Sequence, residues 1–384
     1  SSTRILSFLP LSHILERMAG HFLMLQSGAA IAYAESPDTL KEDFLKVRPT
    51  AGSSVPRVYE KMYVAMRDQA SASSAKLRIF NWAVNIAKQK AYSTKLNPLL
   101  SLKHAVANKL VYSKVKSALG GNIQFLISGG GKLSKDLCAL YHGAGILVLE
   151  GYGLSETSPV ITVNHPDAPR IGSVGPPLSN LEIKIDPTSG KDSEFSTLGE
   201  VGELLVRGPS VFSGYWNKPK ETKESFDGDW FKTGDLVLLE PDGYVTFLER
   251  IKEILVLSTG KNIAPTPLED ALVQNEFIEQ SIVIGDEKKF ISALLVPNVT
   301  ALQLLDGSST QDAGNLNTDQ KTIDHFSKII DEINLNFEPH EQIKQFRIIP
   351  EEFTEENDLL TPSLKKKRRN ILDKYTKEIK SMYS

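Results

Sequence analysis

The sequence has little cysteine, no long apolar run and no large excess of either charge. Its one cysteine, Cys138, excludes an internal disulfide and suits a reducing cytosol. No apolar run reaches the roughly 18 residues that span a bilayer, and we see no signal-peptide pattern. A net charge of -3 gives no basic field for nucleic acid. These absences predict a cytoplasmic protein that does not bind nucleic acid. They leave open peripheral membrane contact and oligomeric state, a homodimer included.

The 384 residues, of which 41% are hydrophobic, are enough for two or three packed units with a large core. Strand-like and helical stretches alternate up to about residue 120. Helical spacing predicts helices over 15–25, 58–66 and 77–91, and a short strand over 31–33. Such alternation favours βαβ units around a mostly parallel sheet. The apolar run at 5–9 predicts a strand in mid-fold, so we expect a chain that lacks its N-terminal part.

Residues 121–165 contain two predicted strands that each end in a glycine-rich loop. The strand over 123–127 ends in Ser128-Gly129-Gly130-Gly131, and the strand over 146–149 ends in Glu150-Gly151-Tyr152-Gly153-Leu154-Ser155-Glu156. Neighbouring strand ends of this kind are where α/β sheets bind nucleotides. The sequence therefore predicts a nucleotide site at these two strand ends.

The predicted architecture is α/β, with parallel sheets and flanking helices, and it changes character twice along the chain. We expect an α/β part over 1–170 and a small antiparallel β subdomain over 171–249, where short strands alternate with Gly, Pro and Asp turns. A charged connection over 250–253 would lead into a separate, smaller α+β C-terminal domain over 254–384. The polar segment 307–320 is predicted to be a mobile loop.

Each candidate site residue also has a purely structural interpretation. Three glycines after Ser128 allow a close backbone approach to a ligand, or simply form a tight turn. Tyr152 could face a base or lie in the core. Asp235, in Thr233-Gly234-Asp235, could accept ribose hydroxyls or close a turn. Arg250 could form a surface ion pair, and His13 could be a structural histidine.

Two further candidates involve charge. Glu156 offers a hard oxygen ligand of the kind that Mg²⁺ prefers, or is solvated. The basic run Leu364-Lys365-Lys366-Lys367-Arg368-Arg369 is either a solvated helix face or a polyanion patch. One of its lysines could instead offset negative charge during the attack of a carboxylate on a phosphoanhydride. The run itself does not select Lys365.

The order of these segments resembles one family, the AMP-forming adenylating superfamily of acyl-CoA synthetases, peptide-synthetase adenylation domains and beetle luciferases. The matching segments are 128–131, 152–157, 202–204, 233–235, 250–253 and 364–365. Phe8-Leu9-Pro10-Leu11-Ser12-His13-Ile14-Leu15-Glu16-Arg17, Lys261-Asn262-Ile263-Ala264-Pro265 and Leu360-Thr361-Pro362-Ser363-Leu364-Lys365 look like the long-chain fatty acyl-CoA synthetase branch.

The resemblance implies a role for each candidate residue. The adenine pocket would comprise Gly130, Gly131, Glu150, Gly151, Tyr152 and Gly153. Ser155 would touch phosphate, Glu156 would hold Mg²⁺, and Asp235 and Arg250 would bind the ribose. Lys252 would lie at a hinge of the C-terminal domain, and Lys365 would be the catalytic lysine of adenylation. Ser258, Gly260 and Lys261 would line the pantetheine channel, and His13 would lie near the acyl group.

The implied activity uses ATP, Mg²⁺ and coenzyme A to convert a long-chain fatty acid into acyl-AMP and then acyl-CoA. Two alternatives remain: transfer to a carrier protein, and a non-catalytic nucleotide-binding fragment. The second is favoured by one departure, since the family's phosphate loop ending in Pro-Lys-Gly is missing. Glu253, Gly131 and Thr259 also differ from the residues more common at their positions, namely Asp, Ala and Gly.

Overall fold

A computed structural model describes residues 3–36, 39–93, 97–189, 194–299, 301–302, 319–362 and 364–384. It divides into two compact units, Ser1–Phe247 and Leu248–Ser384. Most of the predicted polar loop, residues 307–318, lies outside the described residues. Its last two positions are the N-cap and the first residue of a helix, since Asp319 accepts a 3.0 Å hydrogen bond from the Thr322 backbone and the helix begins at Gln320.

The first unit is built on a six-stranded sheet. Its strands are β1 (Arg4–Ser7), β2 (Ala30–Tyr33), β3 (Ala51–Ser54), β4 (Phe125–Ser128), β5 (Leu147–Gly153) and β6 (Val160–Val163). They lie in the order β2-β1-β3-β4-β5-β6. The first five are parallel, and β6 is antiparallel to β5. The predicted α/β class with a parallel sheet is confirmed.

Helices cover this sheet. A π-helical segment, Glu16–Phe22, leads into the first helix, and the predicted helices over 15–25, 58–66 and 77–91 all form. The helices are α1 (Leu23–Gln26), α2 (Leu40–Val47), α3 (Pro56–Ser71), α4 (Ser74–Tyr92), α5 (Pro98–Ala107), α6 (Ser113–Ala118) and α7 (Lys135–Gly143). The large apolar core lies between α3, α4, α5, α7 and one sheet face, and a smaller one lies around Leu15, Ala19 and Val55.

The predicted glycine-rich loop after residue 149 is wrong in one respect, because β5 continues as a strand to Gly153. Gly151 and Tyr152 pair antiparallel with Val163 and Thr162. Glycine makes this close pairing possible: a Cβ on Gly153 would lie 1.8 Å from the Pro159 carbonyl oxygen. Tyr152 is thus held on a strand and not on a free loop.

A second, antiparallel sheet follows. Its strands are β7 (Glu182–Asp186), β8 (Glu200–Arg207), β9 (Phe226–Asp227), β10 (Trp230–Leu239) and β11 (Val245–Arg250), with the short helix α8 (Pro219–Glu224) before β9. The order is β11-β10-β8-β7, with β9 beside β10. The register between β10 and β8 shifts between Lys232 and Leu236. Asp235 therefore lies in a β-bulge within a strand, not after a turn as the sequence suggested.

The second unit contains a three-layer α/β arrangement. Its strands are β12 (Leu255–Val256), β13 (Asn262–Ile263), β14 (Ile278–Ile284), β15 (Ile291–Pro297) and β16 (Ile343–Ile348). Its helices are α9 (Pro265–Val273), α10 (Gln320–Asn334), α11 (Arg368–Lys374) and α12 (Thr376–Tyr383). The sheet β14-β15-β16 has α9 and α10 on one face and α11 and α12 on the other. Burial on both faces explains the continuous apolar runs 282–284 in β14 and 293–297 in β15. Among the described helices of the protein, none has the length and apolarity to cross a bilayer.

Candidate functional site

The tip of β4 presents backbone rather than side chains. Gly130 has a φ of 77°, a left-handed conformation that glycine adopts without strain. Gly131 is different, since a Cβ there would lie 3.5 Å from Pro56 Cγ, an ordinary contact. Alanine would thus fit at Gly131, so this departure from the family pattern changes the local surface little.

Tyr152 on β5 contacts Asp235 in the bulge of β10. The Tyr152 hydroxyl donates a 2.6 Å hydrogen bond to Asp235 Oδ2, and the Asp235 side chain is buried. The Tyr152 ring also lies 6.0 Å from the Phe247 ring, centroid to centroid. Two predicted nucleotide-binding residues from separate sheets therefore meet in the folded first unit.

The bulge that holds Asp235 is fixed by side chains of β8 and β10. Glu203 Oε1 accepts a 2.9 Å hydrogen bond from the Gly234 backbone. Thr233 Oγ1 donates to the Leu204 carbonyl at 2.7 Å and accepts from the Asp235 backbone at 3.2 Å. These bonds fix the backbone of the bulge, and the hydrogen bond from Tyr152 orients the Asp235 carboxylate.

Glu150 is buried on the side of the sheet that faces α7. Its Oε1 accepts a 3.2 Å hydrogen bond from the Gly172 backbone. Burial raises the pKa of Glu150 to about 7, while hydrogen bonds from Gly172 and Cys138 and the charge of Lys132 act in the opposite direction. Its side chain is thus engaged with the interior of the first unit.

Glu156 has a partner that the sequence did not indicate. It lies in the 3₁₀ turn Ser155–Thr157 after β5, and its Oε1 accepts a 3.0 Å hydrogen bond from the Tyr215 hydroxyl. Burial, followed by this contact, raises the pKa of Tyr215. Ser155 is exposed at the start of the same turn. Within the described ranges, His, Cys, Asp and Glu side chains form no group of three or more suited to a metal ion.

The connecting residues of the second unit are held by Glu249. Its two carboxylate oxygens accept from the backbones of Arg250, at 2.9 Å, and Thr266, at 3.0 Å. Arg250 itself is exposed, as is Lys252 in the short turn Ile251–Glu253. Asp235 and Arg250, both expected at the ribose, belong to different units.

The loop predicted to line the pantetheine channel joins β12 to β13. Its turn is closed by a 2.9 Å hydrogen bond from the Leu257 backbone to the Lys261 carbonyl. Gly260 has a φ of 82°, and Ser258, Gly260 and Lys261 are all exposed. The loop is therefore an accessible surface feature of the second unit.

The basic run near the end of the chain has a clear internal pattern. Lys366 Nζ lies 2.6 Å from Glu269 Oε2, and Arg368 bonds to Oε1 of the same buried carboxylate. Burial is the largest single influence and raises the pKa of Glu269, but the charges of Lys366 and Arg368, together with hydrogen bonds from Lys366 and the Val283 backbone, outweigh it and lower the pKa. Lys367 pairs with Asp358. Lys365, in contrast, has an exposed side chain, while its backbone accepts from and donates to Thr361.

His13 lies in the segment between β1 and the π-helical turn of the first unit. Its Nδ1 accepts a 3.3 Å hydrogen bond from the Leu15 backbone, and its carbonyl accepts from Arg17 at 3.1 Å. These contacts attach His13 to the start of the helical segment that follows it.

The overall fold is that of an adenylation domain. The structure matches the adenylation domain of the carboxylate reductase from Mycobacterium chelonae with a TM-score of 0.75, over 100% of this chain and 54% of that one, at 24% identity. At this identity the match defines the fold alone.

Sequence comparison identifies the family. Residues 1–216 match the model of the AMP-binding enzyme family, and residues 252–384 match the AMP-binding enzyme C-terminal domain. The chain belongs to this family of AMP-binding enzymes.

Two curated relatives are similar to nearly the whole of this chain. The long-chain-fatty-acid--CoA ligase FadD15 of Mycobacterium bovis is 38% identical over 99% of this chain and 62% of its own length. The long-chain-fatty-acid--[acyl-carrier-protein] ligase AEE15 of Arabidopsis thaliana is 30% identical over 99% of this chain and 56% of its own length. The chain thus spans about three fifths of the curated relatives that it matches.

Proposed function

We propose that this chain provides the nucleotide site and the C-terminal domain of an AMP-forming long-chain fatty acid:CoA ligase. The proposal depends most on one observation, the 2.6 Å hydrogen bond between Tyr152 and Asp235. It brings together a strand tip of the parallel sheet and a buried acid of the antiparallel sheet. An aromatic face and a carboxylate in contact suit an adenosine, whose base can stack and whose ribose hydroxyls can donate.

The roles of the remaining nucleotide-site residues follow from their chemistry. The backbone at Gly130 and Gly131 would approach the base, and Gly151 and Gly153 would leave room beside Tyr152. Glu150 would support this pocket from beneath and not by direct contact, because its carboxyl is buried against Gly172. Ser155, exposed at the start of its turn, would donate to the α-phosphate.

Glu156 suits a magnesium ion in this site. Mg²⁺ is commonly held by one or two carboxylates together with substrate phosphates and water, so a single protein carboxylate is sufficient. Tyr215 holds one carboxylate oxygen of Glu156, which fixes the orientation of the other. The ion would neutralise phosphate charge as the fatty acid carboxylate attacks.

Lys365 would provide the ammonium group for adenylation. Its neighbours Lys366, Lys367 and Arg368 bind carboxylates of the second unit, whereas the Lys365 side chain is exposed. An ammonium close to the attacked phosphate would offset charge that develops in the transition state. Arg250 would contact the ribose, and Lys252 would lie at the hinge between the two half-reactions.

The acyl donor and acceptor are inferred from relatives. The name of FadD15 supports a long-chain fatty acid and coenzyme A, with Ser258, Gly260 and Lys261 lining the thiol's approach and His13 near the acyl group. The name of AEE15 supports a second candidate, transfer to an acyl carrier protein. We favour coenzyme A because the relative with that acceptor is more similar.

Three measurements on the 384-residue chain test the proposal. Calorimetry would measure binding of AMP and of a non-hydrolysable palmitoyl-adenylate analogue, and mass spectrometry would detect thioester formed from supplied palmitoyl-AMP. We expect the analogue to bind more tightly than AMP, and palmitoyl-CoA to form. Thioester formed on a holo acyl carrier protein but not on coenzyme A would select the second candidate. No binding of either nucleotide would refute the nucleotide site.

A further inference from the structure

The helix α5 and the π-helical turn after it, Asn108–Tyr112, are apolar on two opposite sides. The inner side packs into the first unit through Leu100 and Ala107, which are buried. Tyr112 anchors the end of this segment by donating a 2.6 Å hydrogen bond to the Ala83 carbonyl. Asn97 caps the start by accepting from the Leu100 backbone at 3.1 Å. The segment is thus firmly attached by one side.

The outer side of the same segment is an exposed apolar ridge. Leu99, Leu102, Val106 and Leu110 are 61%, 64%, 45% and 42% exposed. Their spacing of three, four and four residues places them along one face of the helix. A surface helix normally turns polar residues outward, so four exposed branched aliphatic side chains in line indicate a partner surface.

Lysines border the apolar ridge. Lys103, Lys109 and Lys114 are all exposed. None of the three forms an ion pair with any residue in the part of the chain that the structure describes. A lysine stem can lie along apolar surface while its ammonium reaches outward, so these residues can bind anions at the edge of the ridge.

The surrounding sequence has no acidic residue to compete for these lysines. From residue 69 to residue 135 there is no Asp or Glu, but there are ten lysines and one arginine. The acids of neighbouring elements are engaged locally. Asp136 of α7 bonds to Lys88 at 2.5 Å, and Asp43 of α2 accepts from Thr39 at 2.7 Å. The ridge therefore lies in a cationic environment although the whole chain is slightly acidic.

We propose that the apolar ridge and its lysines dock on the surface of an anionic lipid bilayer. The ridge would insert between head groups while Lys103, Lys109 and Lys114 contact lipid phosphates. A bilayer with anionic head groups fits better than a protein partner because the exposed leucines and valine are bordered by lysines, in a stretch without Asp or Glu from residue 69 to residue 135. A protein helix face usually binds into a groove, whereas a bilayer accepts a projecting ridge. This inference is independent of the proposed function.

Vesicle sedimentation tests the proposal with the 384-residue chain. We expect binding to vesicles of phosphatidylcholine with about 30 mol% phosphatidylglycerol, and much weaker binding to phosphatidylcholine alone, because the lysines are attracted to anionic head groups. The variant Leu99→Gln/Leu102→Gln should lower the partition coefficient about tenfold or more. Lys103→Gln/Lys109→Gln/Lys114→Gln should lower it on the order of 100-fold and remove its salt dependence.

Matched variants separate this surface from non-specific adhesion. Leu198→Gln/Leu335→Gln removes two leucines that are 58% and 84% exposed elsewhere. Lys218→Gln/Lys220→Gln/Lys223→Gln removes three lysines around α8. Both controls should bind anionic vesicles like the parent chain. The proposal is overturned if the controls lose as much binding as the ridge variants, or if the parent chain does not prefer anionic vesicles. It is also overturned if light scattering shows that the ridge instead joins two copies.

Discussion

The Tyr152 hydroxyl and the Asp235 carboxylate are joined by a 2.6 Å hydrogen bond across 83 residues of sequence. If they act together on an adenosine, their effects on binding should not be independent. Asp235→Asn should weaken AMP binding roughly 10- to 100-fold, because a charged acceptor for ribose hydroxyls is lost. Tyr152→Phe should weaken it about fivefold through misorientation of Asp235.

Calorimetry with AMP checks both variants and the double variant. The double variant should lose less than the sum of the two single losses, since both act on one interaction. Tyr244→Phe removes a hydroxyl that donates to the Ala168 carbonyl at 2.7 Å and provides the matched control. Unchanged AMP affinity in Asp235→Asn would remove the ribose assignment.

Glu150 should make folding stability depend on pH. Burial raises its pKa from 4.5 to about 7, so the folded chain holds a proton that the unfolded chain releases earlier. The free energy of unfolding should therefore fall as pH rises between about 4.5 and about 7. The shift corresponds to an unfolding free energy about 3 kcal/mol lower above pH 7 than below pH 4.5. Glu150→Gln should remove this part of the dependence and be relatively stabilising at pH 8.

Urea unfolding at pH 5 and pH 8 measures the difference between the parent chain and this variant. Burial also raises the pKa of Glu16, so part of the dependence will remain in Glu150→Gln. Glu200→Gln, at an exposed position, should show the parent's pH dependence. An equal change in unfolding free energy between pH 5 and pH 8 in the parent and in Glu150→Gln would contradict the prediction.

Two glycines near the site should respond differently to the same change. A Cβ on Gly153 would lie 1.8 Å from the Pro159 carbonyl oxygen, so Gly153→Ala must displace β6. We expect a loss of roughly 3 kcal/mol or more in unfolding free energy. Gly131→Ala meets only Pro56 at 3.5 Å and should change stability by less than about 0.5 kcal/mol. Thermal or urea unfolding compares them, and similar losses would be inconsistent with the pairing of β5 and β6.

Substitutions of the neighbouring Lys365 and Lys366 should have different effects, one on catalysis and the other on stability. In assays of the two half-reactions, Lys365→Ala should lower acyl-adenylate formation about 100- to 1,000-fold and spare thioester formation from supplied acyl-AMP. Lys366→Ala should instead lower the unfolding free energy of the second unit by about 3 kcal/mol, because buried Glu269 loses one of its two cations.

Rapid-quench assays of each half-reaction, together with unfolding curves, check this pair. Equal loss of both half-reactions in Lys365→Ala would contradict a role in adenylation. A stability loss in Lys365→Ala as large as in Lys366→Ala would contradict the division between the two lysines.

Local patterns in the sequence predicted much of the fold. Alternating strand and helix patterns predicted the parallel sheet. The exact pairings were not predictable, because they depend on contacts distant in sequence. Glu203 supports Gly234 from 31 residues away, and Tyr215 holds Glu156 from 59 residues away. The family segment 202–204 contains Glu203 but does not indicate its contact with Gly234, and no local motif marks Tyr215.

The anchoring around Lys365 limits how this residue can change position. Its backbone is tied to Thr361 on one side, and Lys366 and Arg368 clamp the other side onto the interior carboxylate of Glu269. A flexible C-terminal segment could move an ammonium group independently, but these bonds hold this segment to the rest of the second unit. If Lys365 acts in adenylation as proposed, it should therefore approach or leave the substrate only through movement of the whole 137-residue unit Leu248–Ser384, and not through a local rearrangement of its own segment.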